Sequence, residues 1–180
     1  QLLAFLALNF TFIALLFGLW LCIKGIHHRP FITLITPKLQ IGWNRIILAA
    51  AIWLGITMGI TLIDAWFHPG SYELTFRLQS WLPFSLLALI FTSIQTSAEE
   101  ILFRGYFLQG MGRLTRNRWI LSTLSGIIFA VPHFFNPEME IDFLLLALFY
   151  FSFGFFLGWI TLRSQSLELA LGVHAANNLF

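Results

Sequence analysis

Ser97-Ala98-Glu99-Glu100-Ile101-Leu102-Phe103-Arg104-Gly105 sets two carboxylates and a guanidinium inside an apolar run from Trp81 to about Met111. Spanning the hydrocarbon of a bilayer takes ~20 apolar residues. An ionisable group at that depth costs at least ~2.5–3.5 kcal/mol on insertion scales and persists where it pairs, lines a wet cavity or does chemistry. The stretch therefore reads as a membrane helix with a task.

The rest of the chain agrees. Of its 180 residues 58% are hydrophobic and only 10% charged, with mean hydropathy +0.83. Soluble domains average about 25% charged residues, so this surface belongs in lipid, with its few polar groups inside. The net charge of +2 and pI near 9.0 come from residues lying between apolar runs. They indicate cytoplasmic loops and no nucleic-acid partner. Cys22 is the only cysteine, so no disulfide forms within the chain; it reads as a small packing residue.

Five further segments predict an all-α, polytopic transmembrane helix bundle with six apolar segments in one membrane domain, residues 1–180. They are Leu2 to Ile23, Ile46 to Ile63, Trp119 to Phe135, Phe143 to Leu162, and a last one from near Ser164 that reads as truncated at Phe180. Without an initiating Met, the chain reads as a fragment. The first run has 22 uncharged residues, more than the roughly 7–15 of a signal-peptide core. Residues 1–80 thus comprise two N-terminal transmembrane helices and their loops. Gly55/Gly59 and Gly154/Gly158 form Gly-x-x-x-Gly pairs, which permit close helix approach.

Lysine and arginine orient the bundle. The first connection holds Lys24, Arg29, Lys38 and Arg45, the third Arg113, Arg116 and Arg118, and the fifth Arg163. The second and fourth hold Arg77 beside Asp64, Glu73, Glu138, Glu140 and Asp142. The loops after the first, third and fifth helices are therefore expected to be cytoplasmic.

Besides Glu99, Glu100 and Arg104, the apolar segments contain His133, His174 and Asn178. Glu100 and Arg104, spaced i, i+4, share a helix face and can pair, while Glu99 points about 100° away. Phe129/His133 and His174/Asn178 have the same spacing, and Pro132 loosens the helix just before His133. From the cytoplasmic ends, Glu99 lies about 18 Å in, His133 about 21 Å and His174 about 15 Å at the helical rise. One carboxylate and two imidazoles thus fall in one band. A carboxylate and a histidine can activate water, and a second imidazole with an amide can stabilise an oxyanion. Glu99, His133 and His174 would also satisfy the ~3 protein ligands of a catalytic zinc. Sequence alone leaves metal-bound and metal-free water both open. No His-Glu-x-x-His motif is present.

These motifs resemble the CAAX prenyl protease and bacteriocin-processing family (CPBP, or Abi). Glu99-Glu100 with Arg104 is similar to its Glu-Glu-x-x-x-Arg motif, Phe129 to His133 to its Phe-x-x-x-His, and His174 to Asn178 to its His-x-x-x-Asn. The resemblance covers about Trp81 to Phe180, so 81–180 would be the catalytic core. It implies a helical intramembrane bundle acting as an endopeptidase, on CAAX-type lipidated tails or in bacteriocin-related processing. Glu99 would be the general base acting on water with His133. His174 and Asn178 would stabilise the oxyanion, with Glu100 and Arg104 supporting the site and Phe129 shaping it. The family carries the label metalloprotease, and a metal-free glutamate mechanism is also argued for it; the metal-free version is preferred here, a divalent metal such as zinc being the alternative. Implied partners are membrane lipid and a peptide or protein substrate. Two other readings explain the same residues. One is a non-catalytic immunity or scaffold protein using them structurally; the other is a transporter, for which the first two segments offer almost no polar route.

Overall fold

A computed structural model describes residues 2–73 and 75–180, the side chains of 2–6, 8 and 80 excepted. Among the described residues every regular element is helical. The elements are α1 (Leu2–Gly25), α2 (Trp43–Phe67), α3 (Leu78–Glu100), α4 (Leu108–Met111), α5 (Arg118–His133), α6 (Phe143–Ser164) and α7 (Glu168–Leu179). A π-helical stretch, Ile101–Phe107, joins α3 to α4 without a break. Short 3-10 turns at Phe31–Leu34 and Pro137–Glu140 lie in the first and fourth connections.

Among the described residues three stretches are long and apolar enough to cross a membrane, Trp43–Phe67, Trp81–Met111 and Phe143–Ser164, with Asn9–Gly25 a shorter apolar helix. The expected first span, Leu2 to Ile23, falls partly on residues whose side chains lie outside the described ones. The expectation of six spans is therefore met in part. The fourth segment is a helix of 16 residues that stops at His133 rather than Phe135. Pro132 has no amide hydrogen to continue a helical ladder, and the chain turns at Phe134. The sixth is a helix of 12 residues that starts at Glu168, later than Ser164. At 16 residues α5 falls short of a span, which takes ~17–25.

Close packing concentrates where the polar residues are. α5 lies along α6 and α2 along α7, while α3 touches both α7 and α1. Gly154 and Gly158 make the α5–α6 approach possible. A Cβ on Gly154 would stand 2.7 Å from the Phe129 Cβ, and one on Gly158 would stand 2.7 Å from the Ser125 Cβ. Gly172 sits against the Ile46 carbonyl in the same way, bringing α7 onto α2. The other Gly-x-x-x-Gly pair does no such work, since nothing lies within 4 Å of a Cβ on Gly55 or Gly59. That face of α2 is apolar and open, with Leu62 and Trp66 exposed, as suits a lipid-facing helix.

The entry to α7 is pinned by the first connection. The Leu167 amide donates to the Ile35 carbonyl at 2.8 Å. Glu168, 1% exposed, receives the Gly42 amide at 2.8 Å, Arg45 Nη1 at 2.6 Å and Ser166 Oγ at 2.8 Å. Gln165, left-handed at φ 55°, turns the chain from α6 toward that anchor.

Candidate active site

Glu100 ends α3 with no solvent exposure, and Arg104 follows in the π-helical stretch, 1% exposed. A buried guanidinium is tolerated only when it is paired and its donors are used. Arg104 meets that condition. Nη1 donates to Glu100 Oε1 at 2.7 Å, Nη2 to the Gly154 carbonyl at 3.1 Å and Nε to Ser125 Oγ at 3.2 Å. Its central carbon also lies 4.4 Å from the centre of the Phe129 ring, a cation–π contact. The i, i+4 pair expected from spacing is thus present, tied into α5 and α6.

α7 brings His174 to the same carboxylate, with Nδ1 2.8 Å from Glu100 Oε1. His174 Nε2 stands 3.7 Å from Glu99 Oε2. Glu99 Oε1 receives Gln95 Nε2 at 3.2 Å, whereas Oε2 is buried with no hydrogen-bond partner among the described residues. Glu99 Oε2 and His174 Nε2 face each other just beyond hydrogen-bond distance. Glu99 and Glu100 therefore diverge as helical geometry requires: one carboxylate serves the arginine and the other faces the imidazole.

His133 lies at the end of α5. Its Nδ1 is 2.7 Å from the Phe129 carbonyl, and its ring stacks on Tyr150 with centroids 4.1 Å apart. Because a carbonyl only accepts, His133 Nδ1 carries the proton and Nε2 is the free nitrogen. The same logic fixes His174, whose Nδ1 faces a carboxylate already holding Arg104; Nε2 is then the nitrogen turned to Glu99. Phe129 unites the set: its ring centre lies 5.5 Å from that of His174 in an edge-to-face pair and 4.6 Å from that of His133 in a tilted one.

A cavity of about 240 Å³ is lined by His133, His174, Gln95, Tyr150 and Asn178, among others. Asn178 is exposed at this wall and its Oδ1 receives Asn177 Nδ2 at 3.2 Å. Glu138 also lines the cavity, receiving the Tyr150 hydroxyl at 2.7 Å and Asn136 Nδ2 at 2.8 Å. The Tyr150 hydrogen bond is the largest single influence holding its carboxyl below the usual carboxylate range.

All seven expected residues thus gather in one region: Glu99, Glu100, Arg104, Phe129, His133, His174 and Asn178. The histidine beside Glu99 is His174; no His133 nitrogen lies within 4 Å of a Glu99 oxygen. Among the described residues no three His, Cys, Asp or Glu side chains are placed to share a metal ion. The set Glu99, His133 and His174 is accordingly not gathered as a metal site. Sequence reasoning missed Gln95, Ser125, Tyr150, Glu138 and Glu168. Glu168 alone carried a signal, an acid flanked by apolar residues from Leu167 to Leu171.

Glu100 is matched by Arg104, while Glu99 stands opposite the His174 imidazole. A carboxylate and an imidazole beside a cavity are groups that can perform general acid–base chemistry. The family comparison converges on these residues: the model described as type II CAAX prenyl endopeptidase Rce1-like matches residues 78–180. The chain belongs to the Rce1-like family. This places it within the CPBP family, and its membrane-capable helices fit an integral membrane protein. A Rce1-like match begins where α3 begins, so the matched region holds every site residue and leaves α1 and α2 outside. The chain is also 41% identical over 164 residues to the uncharacterized protein YyaK of Bacillus subtilis (strain 168), covering 91% of this chain and 55% of that protein. It thus spans about half the length of this curated relative. No solved structure matches.

Proposed function

We propose that the chain is the catalytic part of an intramembrane endopeptidase in which Glu99 activates water, and that its substrates are peptides presented at the bilayer, including CAAX-type lipidated tails. The observation that carries this reading is the 3.7 Å gap between Glu99 Oε2 and His174 Nε2 beside the cavity. A water there gives a proton to Glu99 as its oxygen attacks the peptide carbonyl carbon. The developing oxyanion is met by His174, protonated at Nε2, and by the Asn178 amide. Collapse of the tetrahedral intermediate breaks the C–N bond, and the proton held by Glu99 passes to the leaving amine. His133, fixed through Nδ1, keeps Nε2 free to hold the water from a second direction. Glu100, itself held by Arg104, orients His174 through Nδ1.

The cycle is written without a metal because the donors do not gather. Cleavage is expected to survive thorough chelation; loss on chelation with recovery on adding zinc overturns that part. For the endopeptidase itself, purified protein in vesicles is offered a lipidated peptide. General acid–base groups contribute ~10²–10⁴-fold, so Glu99→Gln should lose cleavage on that scale while its melting temperature holds. Full activity in Glu99→Gln would overturn the proposal and leave the residues with a structural role.

A further inference from the structure

A second, larger cavity of about 500 Å³ lies on the side of the basic connections, away from the one holding His133 and His174. The first connection, the π-helical stretch with α4, the start of α5 and the α6–α7 turn form its walls. Arg116 and Arg118 line it and no acidic residue does. Both arginines are exposed, and no carboxylate lies within 4 Å of either among the described residues.

Its buried lining supplies unused hydrogen-bonding groups. Thr161 Oγ1 is buried without a hydrogen-bond partner among the described residues, in a residue only 8% exposed. Thr36, 1% exposed, accepts the Lys38 amide at 3.4 Å, and its hydroxyl proton has no acceptor among the described residues. A buried hydroxyl left unmatched costs about 1–3 kcal/mol. Two such hydroxyls with two unpaired guanidiniums make a surface short of acceptors. The missing partner is an anion with several oxygens.

We propose that this cavity binds the phosphate group of an anionic membrane lipid. Arginine forks match phosphate oxygens, and basic pockets between membrane helices on the cytoplasmic side hold anionic headgroups. Lipid is the source favoured by place, since the cavity opens among helices that face hydrocarbon. Arg104 forms part of its wall while also holding Glu100, so an occupant there touches the far side of the proposed catalytic network. The binding itself does not depend on the proteolytic reading.

The test uses the full chain, purified in detergent and examined by native mass spectrometry after exposure to phosphatidylcholine, phosphatidylglycerol or inorganic phosphate. The wild type should retain phosphatidylglycerol over phosphatidylcholine. Arg116→Gln/Arg118→Gln should weaken that retention about tenfold per arginine. Arg113→Gln/Arg163→Gln, with the same change in charge but outside the lining, should leave it intact. Equal loss in both pairs means diffuse charge attraction and overturns the proposal. Thermal stabilisation by inorganic phosphate with no lipid retained also overturns it, assigning the site to a soluble anion. Should the double arginine variant not fold, Thr161→Val, which keeps the side-chain shape, provides the decision: weaker retention supports the site and undiminished retention sinks it.

Discussion

His174 Nδ1 and Arg104 Nη1 converge on one oxygen of Glu100, at 2.8 and 2.7 Å. A single buried atom therefore joins α3, the π-helical stretch and α7. Removing that carboxylate leaves a guanidinium buried and unpaired, which costs about 3–5 kcal/mol. Glu100→Ala is expected to lower the melting temperature of the purified protein sharply, and Arg104→Leu similarly. Glu100→Leu/Arg104→Leu should be less harmful than the sum of the single changes, because neither charge is stranded. Additive losses in that double-mutant cycle would contradict the pairing.

The glycines of the two Gly-x-x-x-Gly pairs should differ in their tolerance of alanine. At Gly154 the new methyl meets the Phe129 Cβ at 2.7 Å, so Gly154→Ala must push α5 from α6 and should cost ~1–3 kcal/mol, as overpacking does. At Gly55 there is open space, and alanine is the better helix former by ~1 kcal/mol. Gly55→Ala should be neutral or stabilising in a thermal melt. A Gly154→Ala variant as stable as wild type would refute the packing described.

Glu138 provides a pH signature. Its carboxyl is held below the usual range first by the Tyr150 hydroxyl. A folded-state value below the unfolded one contributes stability that is present above the ordinary carboxylate range. That stability is lost as pH falls through the depressed value. Tyr150→Phe removes the donor, so Glu138 should titrate at higher pH, closer to an unperturbed carboxyl. The acid-side loss of stability attributable to Glu138 should then disappear. Melting curves of wild type, Tyr150→Phe and Glu138→Gln between acid and neutral pH check this; parallel curves for all three exclude the link.

Glu168 is expected to act on the site from a distance. Truncation to alanine leaves the Gly42 amide, the Ser166 hydroxyl and Arg45 without their acceptor. Because the Arg45 side chain is 36% exposed, water compensates part of the loss and about 1–3 kcal/mol is expected. Glu168→Ala should also impair cleavage through the mis-set start of α7, with a larger effect on kcat than on KM. A variant unchanged in both stability and turnover would show that the anchor is not needed.

Local spacing made part of this arrangement legible. Glu100 with Arg104 and Phe129 with His133 follow from four-residue steps along one helix, and the structure keeps both. The shared depth of Glu99 and His174 followed from helical rise, and the two do meet across α3 and α7. The bond from His174 to Glu100 was not legible, because it depends on how α7 rotates against α3 and hence on Gly172, Glu168 and the first connection. The π-helical stretch left no trace in hydropathy, since widening a turn changes no residue's polarity. The length of the fourth segment failed because apolar character continues past Pro132 to Phe135 while the helix stops at His133.

The early end of α5 also bears on how a hydrolysis would be supplied with its second reactant. A bilayer tolerates irregular backbone only inside protein or beside a water-filled space. α5 stops at His133, and the turn that follows carries Asn136 and Glu138 into the wall of the cavity lined by His133 and His174. A helix that ends short of a full span thus sets polar groups rather than hydrocarbon next to the proposed site, and the wet phase would reach it there without a dedicated channel.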